Sequence, residues 1–271
     1  MKFQLGFLHG PLVSYVHRPD KSSVSHYEKA PITEALIDIQ FKGRENTTAE
    51  LAELQRLEGS SYPEKRPLYL ASILLDGTKP NEAPDITPQA STQRGWAFVS
   101  GDNLQIWQVR RDSFTFSRLA PYGNWSLFRD EARRLWEICK PVFMSDRITR
   151  VAVRYINRLE LPFPIADFKD FLRTVPEVSP VLPQGLLTYF MQLQIPLEDI
   201  QSLAVINQQL GPPPTEPVPK IATIILDIDV FRGHELQQDD EGLWAFFEQL
   251  HEKKNEIFEG CITDRTRELI R

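Results

Sequence analysis

Apolar and polar residues alternate along several short stretches of the chain, and this two-residue period predicts β-strands with one buried face. The period runs through residues 35–42 (ALIDIQFK) and, over a longer run, through residues 148–161. The other predicted strands are 68–75, 95–100, 104–111, 113–119, 186–197, 201–210 and 220–231. Several of them are separated only by short turns, such as Gly-Asp-Asn at 101–103, so neighbouring strands are expected to be antiparallel.

Apolar residues recur at helical spacing in two long stretches, one from residue 125 to about 143 and one from about 240 onward. Asn124 precedes the first stretch and Asp239 or Asp240 starts the second, and these residue types cap helix N-termini. Shorter helices are predicted from residue 47 or 48 and over residues 167–175.

The two long helical stretches match each other: one opens with Trp125-Ser-Leu-Phe and the other, about 119 residues later, with Trp244-Ala-Phe-Phe. In each half of the chain the long helix completes the order β-α-β-β-β-α. The sequence therefore predicts an α+β protein made of a duplicated β-α-β-β-β-α unit with pseudo-twofold symmetry, whose long helices pack on one face of antiparallel sheets. The first unit is predicted at 29–146, with a loop insertion at 59–93, and the second at 147–271.

Residues 1–28 lack a sustained period and predict an irregular N-terminal arm. The arm contains histidines at positions 9, 17 and 26, and their spacing matches no common pattern of metal ligands. We therefore expect no metal site in this arm.

The composition is that of an ordinary globular protein, with 41% hydrophobic and 25% charged residues. A net charge of −6 argues against a surface that is basic as a whole, although a local basic patch stays possible. No apolar run is long enough to predict a membrane span. Cys139 and Cys261 form no CxxC pair and are interpreted as free thiols, which favours a cytoplasmic protein.

A row of arginines is the first candidate site. Positions 150, 154 and 158 share one face of their predicted strand because even numbers of residues separate them. Guanidinium groups on a sheet face can hold a phosphate, a carboxylate or a nucleic-acid backbone. Cross-strand pairing with Asp227 and Asp229, which share a face of the strand 220–231, is the alternative. The candidate ligand-binding residues, including two at the ends of neighbouring strands, are Arg150, Arg154, Arg158, Arg110 and Arg118.

A carboxylate cluster is a weaker candidate site. Asp227 and Asp229, together with Asp38, could hold a divalent cation for a hydrolase. Two carboxylates spaced by two residues on a strand are nevertheless common without any metal, and no lysine or further acidic residue lies nearby in the sequence. No cofactor is therefore expected.

Known catalytic templates are missing from the sequence. It contains no GxGxxG, GxxxxGK[ST], HExxH or GxSxG motif, so no catalytic residue is predicted. His251 lies next to Glu252 within the second long helix and is expected on a solvated helix face.

Several segments together resemble an uncharacterised, sporadically distributed prokaryotic family of about 260 residues. They are KAPI at 29–32 with EA at 34–35, IDI at 37–39, FTF at 114–116 with PY at 121–122, VRYINR at 153–158, LDID at 226–229 and TD at 263–264 with EL at 268–269. The resemblance covers about residues 27–271 and implies no activity. Its patchy occurrence suggests an accessory gene, such as a phage-defence or toxin–antitoxin component.

These observations favour a non-enzymatic protein that binds a protein partner, or itself, through a sheet face or edge. The alternative is a nucleic-acid or nucleotide binder that uses the arginine row. A metal-dependent hydrolase at the aspartates is the weakest of the three hypotheses.

Overall fold

The computed structural model describes residues 27–42, 48–70, 73–76, 85–88, 92–143, 147–211, 221–234 and 239–271. Their strands are β1 (Ile32–Lys42), β2 (Glu64–Leu70), β3 (Ile73–Asp76), β4 (Asp85–Pro88), β5 (Thr92–Val99), β6 (Gln105–Arg110), β7 (Ser113–Leu119), β8 (Arg147–Pro162), β9 (Phe190–Leu197), β10 (Ser202–Leu210) and β11 (Ile221–Arg232). Their helices are α1 (Thr48–Glu58), α2 (Trp125–Phe143), α3 (Asp240–Cys261) and α4 (Asp264–Ile270).

Nine of the strands form one antiparallel sheet in the order β2-β5-β6-β7-β1-β8-β11-β10-β9. β1 and β8 lie side by side near its centre. From β1 the strands β7, β6 and β5 follow outward, and from β8 the strands β11, β10 and β9 follow outward. The predicted α+β class with antiparallel strands is therefore confirmed.

One face of the sheet is covered by α1, α2 and α3, and the core lies beneath these helices. Alternate residues of the central strands point into this core because strand side chains change face at every residue. Those buried on β1 and β8 are Ala35, Ile37, Ile39, Phe41, Val151, Val153, Tyr155, Leu159 and Leu161. In the first half of the chain, α2 stacks Phe128 on Phe116 and Trp136 against Phe114. No helix in the described ranges is long and apolar enough to cross a membrane.

The two long helices, α2 and α3, carry the N-terminal caps that the sequence predicts for them. The Leu127 backbone N–H donates to Asn124 Oδ1 at 2.9 Å, at the start of α2. The Gly242 N–H donates to Asp239 Oδ1 at 2.8 Å, at the start of α3. A side-chain oxygen thus satisfies one backbone donor that the first helical turn leaves unpaired.

Two local predictions differ from the structure. Residues 167–175 were expected to be helical, but only a 3₁₀ turn forms there, at Phe168–Asp170. The turn ends because Phe171 and Leu172 are buried and Leu172 bridges to Ile262 after α3, a contact that a continuing helix would not allow.

Residues 59–93, predicted as a loop insertion with one strand at 68–75, contain the three strands β2, β3 and β4. β2 pairs with β5 and extends the large sheet, and β3 pairs with β4 in a separate two-stranded sheet. The predicted N-terminal arm lies outside the described residues apart from Tyr27 and Glu28.

Candidate functional site

The arginine row lies where its period predicted, on the face of β8 opposite the three packed helices. Arg150 occupies the middle of this open face and is 22% exposed. Its Nη1 donates to Asp38 Oδ2 of β1 and its Nη2 donates to Asp229 Oδ2 of β11, both at 2.8 Å. One guanidinium therefore joins three adjacent strands.

Arg154 forms a bidentate ion pair with Asp227. Its Nε and Nη2 donate to the two carboxylate oxygens of Asp227, at 2.8 Å and 2.7 Å, and Asn207 of β10 donates to the same carboxylate at 3.1 Å. The cross-strand pairing that the sequence left as an alternative is thus present for Arg150 and Arg154. Whether the row also binds a nucleic acid stays a prediction.

The other three candidate arginines do not join this network. Arg158 Nη2 lies 3.2 Å from Glu160 Oε1 on its own strand. Arg110 Nη2 donates to Gln108 Oε1 at 2.6 Å on β6, which β7 and β1 separate from β8. Arg118 lies on the helix-bearing face, where its guanidinium is 3.8 Å from Asp102.

The three candidate metal-binding aspartates do not form an open cluster. The guanidinium of Arg150 lies between Asp38 and Asp229, and Asp227 binds Arg154. In the part of the chain that the structure describes, no group of three or more His, Cys, Asp or Glu residues could hold a metal ion. Arginine side chains thus occupy the positions that a cation would need.

Burial raises the pKa of Asp229, and the charges of Arg150 and Arg154 act against this rise. Its second oxygen, Oδ1, is buried and has no hydrogen-bond partner among the described residues. The open face thus depends on its arginines to keep a half-buried carboxylate ionised.

Replacing Arg150 by methionine is expected to lower the free energy of unfolding by about 2 kcal/mol at neutral pH, because two half-buried carboxylates lose their shared cation. Removing the cation raises the folded-state pKa of Asp229 further above its unfolded value of 3.8. The folded variant then binds the extra proton, so its stability falls as pH rises through that raised pKa. Urea unfolding at pH 4.5 and pH 7 measures the difference.

The matched control for this prediction is Arg158→Met, at an exposed position of the same strand. Its pairing with Glu160 is solvent-screened, so we expect a change within about 0.5 kcal/mol. Equal losses in the two variants would contradict the role assigned to Arg150.

On the helix-bearing side the structure contains a cavity of about 690 Å³ that the sequence analysis did not predict. It lies between α3, the loop 120–124 and the segment 27–32 that leads into β1. The loop turns at the cis peptide bond between Ala120 and Pro121. Asn157 of β8 is among its lining residues.

Lys254 of α3 lines this cavity and is only 6% exposed. Its amine lies 3.8 Å from the centroid of the Tyr155 ring and donates to the Asn255 side chain. Burial lowers the pKa of Lys254 to about 7, against the opposing charge of Glu259. The cavity therefore contains an amine that changes charge near neutral pH.

His251, one turn before Lys254, is part of the same wall. Its ring stacks on Trp125 with centroids 4.2 Å apart and an interplanar angle of 2°. Burial, followed by the charge of Lys254, lowers the pKa of His251 to about 3, so the imidazole is neutral at physiological pH. The expectation of a solvated helix face for His251 is wrong, because α2 places Trp125 over it.

Comparisons with known proteins assign neither surface to a family. No family model matches the chain, and no curated protein matches it. The resemblance to an uncharacterised prokaryotic family stays a prediction, and the two surfaces are interpreted from their geometry alone.

One sequence signal could have located the cavity. Lys254 follows Phe247 and Leu250 at helical spacing and precedes Phe258, so it occupies a position of the buried stripe of α3. A lysine in such a stripe is unusual, since lysine is seldom fully buried without a partner.

Proposed function

We propose that this chain is a non-enzymatic binding protein that acts through a protein partner, and that the partner adds to the edge strand β9. The observation that carries the proposal is the chemistry of that edge. β9 reads FMQLQIPL and contains no charged residue, and among the described strands it pairs only with β10. Exposed, uncharged edge strands present unpaired backbone groups that readily accept another strand.

The opposite edge of the sheet is protected. β2 begins with three consecutive charged residues, Glu64-Lys65-Arg66, and charged residues are a device that keeps edge strands from pairing. Each edge strand also contains one proline, Pro67 on β2 and Pro196 next to the end of β9, so the charges are what distinguishes the two edges. On β9, by contrast, Phe190 is 65% exposed and Ile195 is 41% exposed. The two edges therefore differ in their capacity to associate.

We infer further that the chain consists of two copies of one unit related by a pseudo-twofold axis between β1 and β8. Support comes from the strand order, in which β7, β6 and β5 correspond to β11, β10 and β9. Under this correspondence β5 matches β9. β5 is covered by the additional strand β2, whereas within the described residues β9 has no outer neighbour.

The partner that best fits the β9 edge is a second copy of this chain. All strand pairs in the sheet are antiparallel. A twofold axis through the edge would also pair β9 with the β9 strand of the second copy in antiparallel orientation. With the axis at Leu193, Gln192 would face Gln194 of the second copy, and amides offer both donors and acceptors without charge repulsion. Such a contact would also bury Phe190 and Ile195.

Replacing Ile195 by lysine is expected to abolish self-association, because each copy would then place a charged side chain in an apolar edge contact. The measurement is the molar mass in solution over a range of protein concentrations, by light scattering after size exclusion. The wild type should approach twice 31.3 kDa and the variant should stay near 31.3 kDa.

The matched control is Ile221→Lys. Ile221 is 45% exposed, similar to Ile195, but it starts β11, an interior strand of the sheet. This variant should associate as the wild type does. A monomeric wild type, or equal association of both variants, contradicts the second copy as the partner. Binding of a different protein that requires Ile195 would retain the edge but change its occupant.

A further inference from the structure

We propose that the cavity beside α3 binds a small organic carboxylate with a flat, apolar body, and that the amine of Lys254 holds the carboxylate group. The cavity volume of about 690 Å³ is in the range of small-molecule sites. The site lies on the helix-bearing face, away from the β9 edge, and is independent of the proposed self-association.

The first argument is the missing counterion of Lys254. Within the described residues no carboxylate forms a salt bridge with its amine, which contacts the Tyr155 ring and the Asn255 amide oxygen. A buried ammonium group is costly unless an anion compensates it. A ligand carboxylate that enters the cavity would supply that anion.

Glu259 also lines the cavity but is already engaged. Its Oε1 accepts from the Tyr27 hydroxyl at 2.6 Å, and its Oε2 accepts from Arg267 Nε at 2.8 Å. The two contacts hold the carboxylate in place and neutralise it. Glu259 is therefore a fixed part of the wall and leaves the amine for the ligand.

The charges of the lining favour a monoanion. Glu28 also lines the cavity, so a phosphate dianion would meet more repulsion than a single carboxylate. Lys29 is the other cation of the lining and lies on an exposed stretch.

The shape of the walls favours a flat ligand. The stacked pair of Trp125 and His251 forms one side, and Tyr122 and Phe258 contribute further aromatic surface. Aromatic walls contribute contact area and ring-to-ring packing to a planar ligand. The neutral imidazole of His251 adds surface without adding charge.

Proton uptake gives the site a pH signature. The titratable and charged groups around the amine are His251 and Glu259 on α3, Tyr155 on β8, Tyr122 on the loop 120–124, and Tyr27, Glu28 and Lys29 on the segment before β1. Because the pKa of Lys254 is lowered to about 7, the free protein must take up a proton to bind a carboxylate above that pH. Affinity should therefore fall by about tenfold or more from pH 7 to pH 9.

The test uses calorimetric titration of the full chain with 2-naphthoate and with 2-naphthamide, which has the same shape but no charge. At pH 6.5 the acid should bind at least about tenfold more tightly than the amide, as expected for a charge-assisted hydrogen bond. Lys254→Met should remove this preference and should leave the affinity for the amide within about twofold of the wild-type value.

The control variant is Lys253→Met. This neighbouring amine lies 2.8 Å from carboxylate oxygens of Asp199 and Glu256 and is not part of the lining. It should retain the preference for the acid. Three results overturn the proposal: equal binding of acid and amide, an unchanged preference in a folded Lys254→Met protein, or no binding of naphthoate, benzoate or indole-3-carboxylate at millimolar concentration.

Discussion

Replacing Gly95 by alanine is expected to destabilise the protein by about 3 kcal/mol or more, because the new methyl group has no room. A Cβ at this position would lie 1.9 Å from the carbonyl oxygen of Val109 on the adjacent strand β6. Backbone atoms of a paired strand cannot move aside without breaking the sheet. The register of β2 against β5 also shifts next to Gly95, so the strain would reach the edge strand.

Gly101→Ala is the matched control, since Gly101 lies in the turn between β5 and β6 with no neighbouring atom within 4 Å of an added Cβ. We expect a change of less than about 0.5 kcal/mol there. Urea unfolding of both variants measures the difference. A Gly95→Ala protein within about 1 kcal/mol of the wild type would show that β5 and β6 do not approach as closely as described.

Replacing Lys254 by methionine is expected to stabilise the ligand-free protein by on the order of 4 kcal/mol at pH 6.5. The amine titrates at a pKa of about 7 in the folded protein and at 10.5 in its ordinary state. Methionine preserves most of the volume and removes the buried charge. The gain reflects the cost of keeping a positive charge in the cavity without a counterion.

The sign of the pH dependence follows from proton binding. Between pH 7 and pH 10.5 the unfolded wild type binds a proton that the folded wild type does not. The stability of the wild type therefore rises with pH across this window, and the advantage of methionine should shrink towards zero. Denaturant unfolding of both proteins at pH 6.5 and pH 9.5 measures this convergence. A variant less stable than the wild type at pH 6.5 would contradict the buried, uncompensated amine.

The Lys254→Met protein separates the stability prediction from the ligand proposal. A stabilised variant that retains the preference for naphthoate would confirm the buried amine but reject its role as the carboxylate receptor. A stabilised variant that loses the preference supports both. Lys253→Met controls both measurements, because the hydrogen bonds that Lys253 donates to the carboxylates of Asp199 and Glu256 raise its pKa.

Much of the fold was predictable because it depends on local geometry. The two-residue period located β1 and β8 and placed Arg150 and Arg154 on one face, since successive strand residues always alternate. The helical stripes and their caps located α2 and α3. The first half of the edge strand β2 was missed, because Pro67 and the charged residues before it are typical of a loop and only pairing with β5 makes them a strand.

The candidate sites were likewise predictable only where local geometry determines them. The sequence indicated that Asp227 and Asp229 could neutralise the arginines, and the register between β8 and β11 brings them into contact. It gave no reason to connect Lys254 with Tyr27 or with the pair Tyr122 and Trp125, because these residues lie in three separate segments of the chain. His251 was assigned to solvent for the same reason, since the helix that covers it begins 126 residues earlier in the chain, at Trp125.

By itself the sequence determined the α+β class, the faces of the central strands and the arginine row, because these follow from the period of side chains along a regular backbone. The tertiary structure decided which carboxylate meets each guanidinium, which of the two edge strands among the described residues is uncharged, and that a lysine of the α3 stripe lines a cavity. These features depend on contacts between residues far apart in the chain, and local periodicity contains no information about such contacts.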